Sequence, residues 1–222
     1  MDFMKVLRSL EEFLYEVMTW LVFYPKTFWI SLTRPLATMR YSDEQQALPP
    51  DEQYVATVNP VLFLMLSLFL VHAVELAMHR RSALSDAPLP VFMQSDANLL
   101  LVRSVFFGIF PLFYAMALLV RRRSTIDRNT LRAPFLAQCH PAAVFATAVG
   151  LATTARLLPD TRTHWLAGAM IVFSTAWYLA VQTRSLSERL SIGRMRALGL
   201  TLAAFVGATL VFVIAAVALA GF

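Results

Sequence analysis

The sequence is poor in the residues on which soluble and disulfide-bonded domains depend. Of its 222 residues only 15% are charged, seven are glycine, and a single cysteine, Cys139, is present. Soluble domains are usually about a quarter charged, so this balance excludes an ordinary cytosolic enzyme. One cysteine excludes a disulfide framework, and a hydrophobic content of 58% excludes a disordered chain. The mean hydropathy of +0.61 instead predicts a protein of the lipid bilayer.

Five apolar runs are long enough to cross about 30 Å of hydrocarbon as helices. They cover approximately residues 61–78, 99–120, 141–158, 165–182 and 197–222. Only helices satisfy their own backbone groups in segments of this kind, since no alternating barrel pattern is present. The predicted fold class is therefore all-α, a polytopic membrane protein with a five-helix transmembrane domain at 61–222.

Basic residues alternate in number from one connecting segment to the next. Fourteen lie on one predicted side and three on the other, with Arg103 and Arg156 inside spans. The richer side is expected to be cytoplasmic, which places the N-terminus inside the cell and the C-terminus outside the cytoplasm. All but two of the basic residues are arginine, a bias common in GC-rich bacterial genomes, so we expect the bacterial inner membrane. No basic stripe interleaved with aromatic residues indicates nucleic acid binding.

Residues 1–40 differ from the spans because apolar and charged side chains alternate at helical spacing. The apolar positions are Phe3, Val6, Leu7, Leu10, Phe13, Leu14, Val17, Met18 and Leu21. Lys5, Arg8, Glu11, Glu12 and Glu16 populate the other face. This pattern predicts an amphipathic helix, and the aromatic residues that follow it are typical of the headgroup level. Two interpretations stay open: an interfacial helix, or a helix packed on the cytoplasmic ends of the spans.

Residues 41–60 are polar and acidic, with Pro49, Pro50 and two copies of Asp-Glu-Gln. We expect a linker that cannot order itself, because it has little apolar surface to bury. The alternative is an acidic strip that meets a basic partner or the arginine-rich segments of this chain.

Six ionisable residues lie within or beside the predicted spans, where burial of a charge is costly. They are His72, Glu75, His79, Arg103, Arg156 and His164. The first three share one helix face, and the orientation brings all six to the extracytoplasmic side. The simplest arrangement is an ion pair of Glu75 with Arg103 or Arg156. The alternatives are a site for an ion, a proton relay or an anionic headgroup, and a metal site formed by His72, Glu75 and His79.

Two stripes of small residues predict close helix packing, within the chain or between copies. One is Gly199, Ala203 and Gly207, and the other is Ala142, Ala146, Gly150 and Thr154. Pro111 is expected to kink the second span.

Residues suited to catalysis are few. Cys139 and His140 are adjacent, which does not aim a base at a nucleophile, and neither has a convincing third partner. No phosphate-binding glycine loop, zinc-protease helix or nucleophile elbow is present. We therefore expect neither enzymatic chemistry nor a cofactor or metal.

Two stretches carry a resemblance to a known family. The proline-punctuated stretch from Phe23-Tyr24-Pro25 to Arg34-Pro35, followed by five spans, resembles the Yip family of membrane proteins. The run from Asn129 to Phe135, with Gln138-Cys139-His140 after it, is similar to small bacterial membrane proteins labelled permeases. The resemblance implies a five-span fold and, from eukaryotic members, association with GTPases. It carries over no functional residue.

Two functions follow as hypotheses. The leading one is a membrane-organising or accessory subunit whose basic cluster Arg121, Arg122 and Arg123 faces protein partners or anionic lipid. The alternative is a small transporter, permease or channel subunit that uses the polar cluster around Glu75 and the kink at Pro111.

Overall fold

The protein is described by a computed structural model that covers residues 3–78 and 96–220. Over those residues the chain forms seven α-helices and one short 3₁₀ helix, without a strand. The helices are α1 (Phe3–Thr33), α2 (Pro35–Gln45), α3 (Pro60–Ala77), α4 (Asp96–Arg121), α5 (Arg128–Ala155), α6 (Thr161–Leu190) and α7 (Arg194–Ala220), with the 3₁₀ helix at Pro50–Glu52.

Helices α3 to α7 are each long and apolar enough to cross a membrane. This confirms the prediction of an all-α polytopic membrane protein with five spans. α5 lies at the centre of the bundle, since 67% of its apolar window is buried, against 17% for α7. α4 and α6 end, and α5 and α7 begin, at one end of the bundle, which we call the basic end. The other end, where α5 ends and α6 begins, is called the opposite end.

The core of the bundle is aromatic. Phe145 of α5 stacks on Tyr178 of α6 with ring centroids 4.7 Å apart. Phe110 of α4 and Phe205 of α7 pack around the same stack, at 5.7 Å and 6.2 Å from Phe145. Aromatic pairs of this kind add packing energy beyond their buried area, so this layer joins four of the five spans.

α5 extends much further toward the basic end than the sequence indicated. The predicted start at Pro141 is wrong, because the helix begins at Arg128 and continues through Pro134 and Pro141. Asp127 caps it by accepting hydrogen bonds from the backbone N–H of Asn129 and Thr130 at 2.8 and 2.9 Å. Residues 136–146 are buried throughout, because α2 as well as α3, α4 and α6 packs against α5.

The acidic segment 41–60 is folded against the bundle, unlike the linker expected from its composition. Tyr54 is 6% exposed, and its hydroxyl lies 3.0 Å from Ser42 Oγ and accepts a hydrogen bond from Gln46 Nε2 at 2.8 Å. Its backbone is left-handed, with φ 58°, and its N–H donates to Gln45 Oε1 at 2.7 Å. Side-chain hydrogen bonds from α2 thus order a segment that has few apolar residues of its own.

α1 is one helix that divides into two parts. Its side chains from Met4 to Tyr15 are all exposed, with Phe13 58% exposed. Its last third packs on α3: Tyr24 Oη lies 3.0 Å from Ser67 Oγ, and Thr27 Oγ1 accepts a hydrogen bond from the N–H of Val58 at 3.1 Å. The packed interpretation therefore holds for this last third, while the interfacial position of the first part stays a prediction.

Only one of the two small-residue stripes forms a seam inside the chain. On α5, Ala142 and Ala146 are buried, and a Cβ added to Gly150 would lie 2.6 Å from Val71 Cγ1. On α7 the stripe forms no continuous seam inside the chain, because Gly199 and Ala203 are exposed and only Gly207 lies close to a neighbouring side chain, that of Phe113. Packing of this stripe between copies stays a prediction. The buried face of α7 consists instead of Ala197, Thr201, Ala204 and Ala208.

Candidate functional site

A buried ion pair joins α3 to α4 near the opposite end. Arg103 Nη1 lies 2.8 Å from Glu75 Oε2, and Arg103 Nη2 donates a hydrogen bond to Glu75 Oε1 at 3.2 Å. Their side chains are only 11% and 6% exposed. The guanidinium therefore holds the carboxylate through two contacts, a geometry that arginine provides and lysine does not.

Two neighbours complete the surroundings of Glu75. Thr154 Oγ1 of α5 lies 3.2 Å from Glu75 Oε1 and 2.9 Å from the carbonyl oxygen of Gly150. His72, one turn before Glu75, places Nδ1 at 3.5 Å from Glu75 Oε2. Because Gly150 has no side chain, α5 approaches Val71 closely, and this brings Thr154 within reach of the carboxylate. Three helices thus meet at one negative charge.

A cavity of about 380 Å³ adjoins this ion pair, between α3, α4, α5 and α7. Its polar lining consists of Glu75, Arg103, Thr153 and Thr154. The remaining walls are apolar, with Phe106, Phe107 and Phe212 among them, so the space could hold an apolar group beside a charged pair.

The structure brings together only part of the predicted polar cluster. His72, Glu75 and Arg103 meet, which resolves the choice of arginine in favour of Arg103. Arg156 and His164 have exposed side chains at the opposite end, where His164 Nε2 lies 2.8 Å from the carbonyl oxygen of Arg156. They are not part of the Glu75 site. His79 lies outside the described residues.

The metal site considered for His72, Glu75 and His79 includes a residue outside the described ranges, so it stays a hypothesis. Across 3–78 and 96–220 no group of three or more His, Cys, Asp or Glu residues has a geometry suited to a metal ion. Cys139 and His140 are both fully buried in α5, and His140 packs against Phe63 with ring centroids 5.8 Å apart. The arrangement presents neither side chain to an outside substrate.

Sequence reasoning missed a second ion pair, at the basic end. Arg189 Nη2 of α6 lies 2.7 Å from Asp43 Oδ2 of α2. Burial raises the pKa of Asp43, and Arg189 opposes that shift. This contact confirms the alternative that the acidic segment meets arginines of the same chain. The repeated Asp-Glu-Gln tripeptide and the arginines near the end of the fourth span were the only signals for it.

The predicted basic cluster lies at this same end. Arg121, Arg122 and Arg123 follow one another at the end of α4, and all three are exposed. Arg122 Nη2 also donates a hydrogen bond to the carbonyl oxygen of Arg189 at 3.1 Å, so this arginine contributes to the contact of α4 with α6.

Fold and site together define an integral membrane protein with five spans and a buried ion pair between α3 and α4. Comparison with family models, with curated proteins and with solved structures found no match for this chain.

Proposed function

We propose that this chain is a non-enzymatic organising or accessory protein of the bacterial inner membrane, whose basic end faces the cytoplasm and attracts an anionic surface. That surface is anionic lipid or an acidic face of a partner protein. The observation that carries the proposal is the crowding of exposed arginines at the basic end. They are Arg121, Arg122, Arg123, Arg128, Arg132, Arg184, Arg194 and Arg196.

The state of the buried charges supports the same function. Glu75 and Arg103 neutralise each other in a contact that is almost closed to solvent, so these groups act as a staple between helices. The exposed arginines at the basic end lie in or near the α4–α5 and α6–α7 connections, and most have no such partner among the described residues. Each charge of this kind contributes about 1 kcal/mol near an anionic membrane surface.

The test uses the protein held in nanodiscs of zwitterionic lipid and mixed with vesicles that contain phosphatidylglycerol. R121Q/R123Q removes two exposed charges and keeps Arg122 in its contact with α6. We expect vesicle binding to weaken roughly thirtyfold, which corresponds to about 2 kcal/mol. Added salt is expected to weaken the binding of the unmodified protein in the same direction.

R156Q/R162Q is the matched control, because both arginines are exposed at the opposite end. Its vesicle binding should equal that of the unmodified protein. A reporter fused to the C-terminus checks that neither variant inverts in the membrane. Binding that ignores both salt and R121Q/R123Q would contradict the proposal.

A small transporter or channel subunit is the second candidate, and the cavity beside Glu75 favours it. This function requires the cavity to admit water from one side of the membrane. Thr153 lies at the exposed edge of the cavity and Ala146 at its buried wall. If the cavity is a pathway, cysteines at both positions should react with a charged thiol reagent. Reaction at Thr153→Cys alone would instead describe a dry pocket.

A further inference from the structure

A second cavity, of about 680 Å³, opens at the basic end between α2, α4, α5 and α6. Five charged side chains line it: Arg40, Asp43, Arg122, Glu188 and Arg189. Leu36, Met39 and Leu119 line it as well, so one pocket combines charged and apolar walls.

The charges of the pocket do not cancel. Arg189 pairs with Asp43 at 2.7 Å, and Arg40 Nη1 lies 3.9 Å from Glu188 Oε2. Arg122 is the third arginine, and its one hydrogen bond goes to a neutral carbonyl oxygen, that of Arg189. Among the described residues no carboxylate lies within ion-pair distance of Arg122. The lining therefore carries one uncompensated positive charge.

Ser185 supplies an independent sign of a ligand. It is 2% exposed and lines this pocket, yet its Oγ has no hydrogen-bond partner within the described part of the chain. Thr183, two residues earlier on α6, is satisfied by its own helix, since its Oγ1 donates to the carbonyl oxygen of Leu179 at 2.7 Å. Tyr178 Oη of the same helix is also buried without a partner among the described residues, but it does not line this pocket. Burying a hydroxyl that makes no hydrogen bond costs free energy. A bound ligand that supplied an acceptor would remove this cost.

We propose that this pocket binds a phosphate group carried on an apolar chain, with Arg122 and Ser185 as its donors. A phosphate oxygen would accept hydrogen bonds from the guanidinium and the hydroxyl, and the single excess charge matches a phosphodiester. The apolar side chains fit the first carbons of an acyl chain. The pocket lies where the membrane-spanning helices end, which is the depth of a phospholipid headgroup.

The pocket shares Arg122 with the surface used in the proposed function, but none of the other seven exposed arginines of that surface lines it. Arg121 and Arg123 do not line it, whereas Arg122 does. Loss of vesicle attraction in R121Q/R123Q and loss of pocket binding in S185A, which changes no charge, are therefore separate results.

The test measures the thermal unfolding midpoint of the delipidated protein in a non-ionic detergent. Phosphatidylglycerol, diacylglycerol and glycerol 3-phosphate are titrated separately. We expect phosphatidylglycerol to raise the midpoint in a saturable manner and diacylglycerol, which has no phosphate, to leave it unchanged. Saturation by glycerol 3-phosphate at the same concentration would keep the phosphate site and assign it to a soluble source.

Four variants define the site. R122Q should weaken phosphatidylglycerol binding roughly tenfold or more, and S185A roughly threefold, because Arg122 adds the attraction of its own charge whereas Ser185 is a neutral donor. R162Q and S174A are the matched controls: Arg162 is exposed at the opposite end, outside the pocket, and Ser174 is a buried serine of α6 that donates to the carbonyl oxygen of Ile171 at 3.0 Å. Both should bind like the unmodified protein.

A photoactivatable phosphatidylglycerol keeps the proposal testable if a variant folds poorly. In the unmodified protein it should label peptides that contain pocket residues of α2 or α6. Labelling confined to other helices, no saturable shift with either phosphate compound, or equal binding by R122Q, S185A and their controls would overturn the proposal.

Discussion

Two close arginine–carboxylate pairs, Arg103 with Glu75 and Arg189 with Asp43, connect helices in the described part of the chain, and they differ in how far solvent reaches them. Arg103 and Glu75 are 11% and 6% exposed, whereas Arg189 and Asp43 are 15% and 38% exposed. The shortest contacts are nearly equal, at 2.8 and 2.7 Å. Distance therefore does not distinguish them, and burial decides how much each pair matters to stability.

The difference in exposure follows from the position of each charged residue in the fold. Glu75 and Arg103 lie on spans, so each would be buried without compensation if its partner were absent. Asp43 lies on α2, where water could replace Arg189. The Glu75–Arg103 pair is therefore needed for α3 and α4 to be stable in lipid. The Asp43–Arg189 pair is a contact that holds α2 against α6.

The largest expected effect is that of E75Q. The variant leaves the Arg103 guanidinium buried with an amide instead of a carboxylate, and breaking a buried pair costs about 3 to 5 kcal/mol. We expect this loss in the free energy of unfolding, measured by denaturant titration in detergent micelles. E75L/R103M removes both charges and should recover most of the loss.

If E75Q proved as stable as the unmodified protein, the pair would not be a staple. Glu75 would then be available for a transport function, and the comparison between the two pairs would fail. T154A removes one hydroxyl that donates to the Glu75 carboxylate and leaves the ion pair in place. It should cost about 1.5 to 3 kcal/mol, less than E75Q.

A smaller effect is expected from G150A, which acts on the packing behind the buried pair. The added Cβ would lie 2.6 Å from Val71 Cγ1, so α3 and α5 must separate or Val71 must shift. Overpacking of this kind costs about 1 to 3 kcal/mol. The same denaturant titration provides the measurement, and labelling of Thr153→Cys shows whether the cavity beside Glu75 widens.

G199A is the matched control on α7, because nothing lies within 4 Å of its added Cβ. It should leave stability unchanged or raise it slightly, as alanine is the better helix former. Equal effects of the two substitutions would show that Gly150 does not set the α3–α5 distance.

The sequence predicts the Glu75–Arg103 pair but not the Asp43–Arg189 pair, and the reason is physical. A charge inside an apolar run needs compensation, so Glu75 and Arg103 stand out and their meeting follows from the orientation of the spans. Asp43 is one acid among many in a polar segment, and nothing local pairs it with Arg189, 146 residues away. Long-range contacts of surface charges depend on tertiary structure that hydropathy does not contain.

The same reason explains the errors at the start of α5 and in segment 41–60. Gln138 and His140 read as loop residues because they are polar, yet both are buried. Gln182 Nε2 of α6 donates to Gln138 Oε1 at 2.6 Å, which satisfies polar atoms inside the bundle. The Gln138–Gln182 pair joins residues that are far apart in sequence, and the burial of Tyr54 depends on packing against other segments. Neither can be predicted from the local sequence.

The smallest effect is expected from D43N. The direction in which the contribution of Asp43 to stability changes with pH differs from that of Asp127 at the same end. Burial raises the pKa of Asp43 above its usual value of 3.8, so the folded state holds this proton more tightly than the unfolded state. The contribution of Asp43 to stability is therefore greatest below pH 3.8 and falls as pH rises through the raised pKa. D43N should remove this decline and change stability near neutral pH by less than about 1 kcal/mol, because solvent screens the half-exposed pair.

Asp127 supplies the opposite sign in the same protein. Hydrogen bonds from the backbone of Thr130 and Asn129 lower its pKa below 3.8, so its contribution is present above pH 3.8 and is lost as pH falls through the lowered pKa. Across this acidic range the thermal unfolding midpoints of D43N and D127N, each measured relative to the unmodified protein, should therefore change with pH in opposite directions. Parallel curves for D43N and D127N would mean that α2 does not hold Asp43 against the bundle, and the exposed pair would lose its place in the comparison.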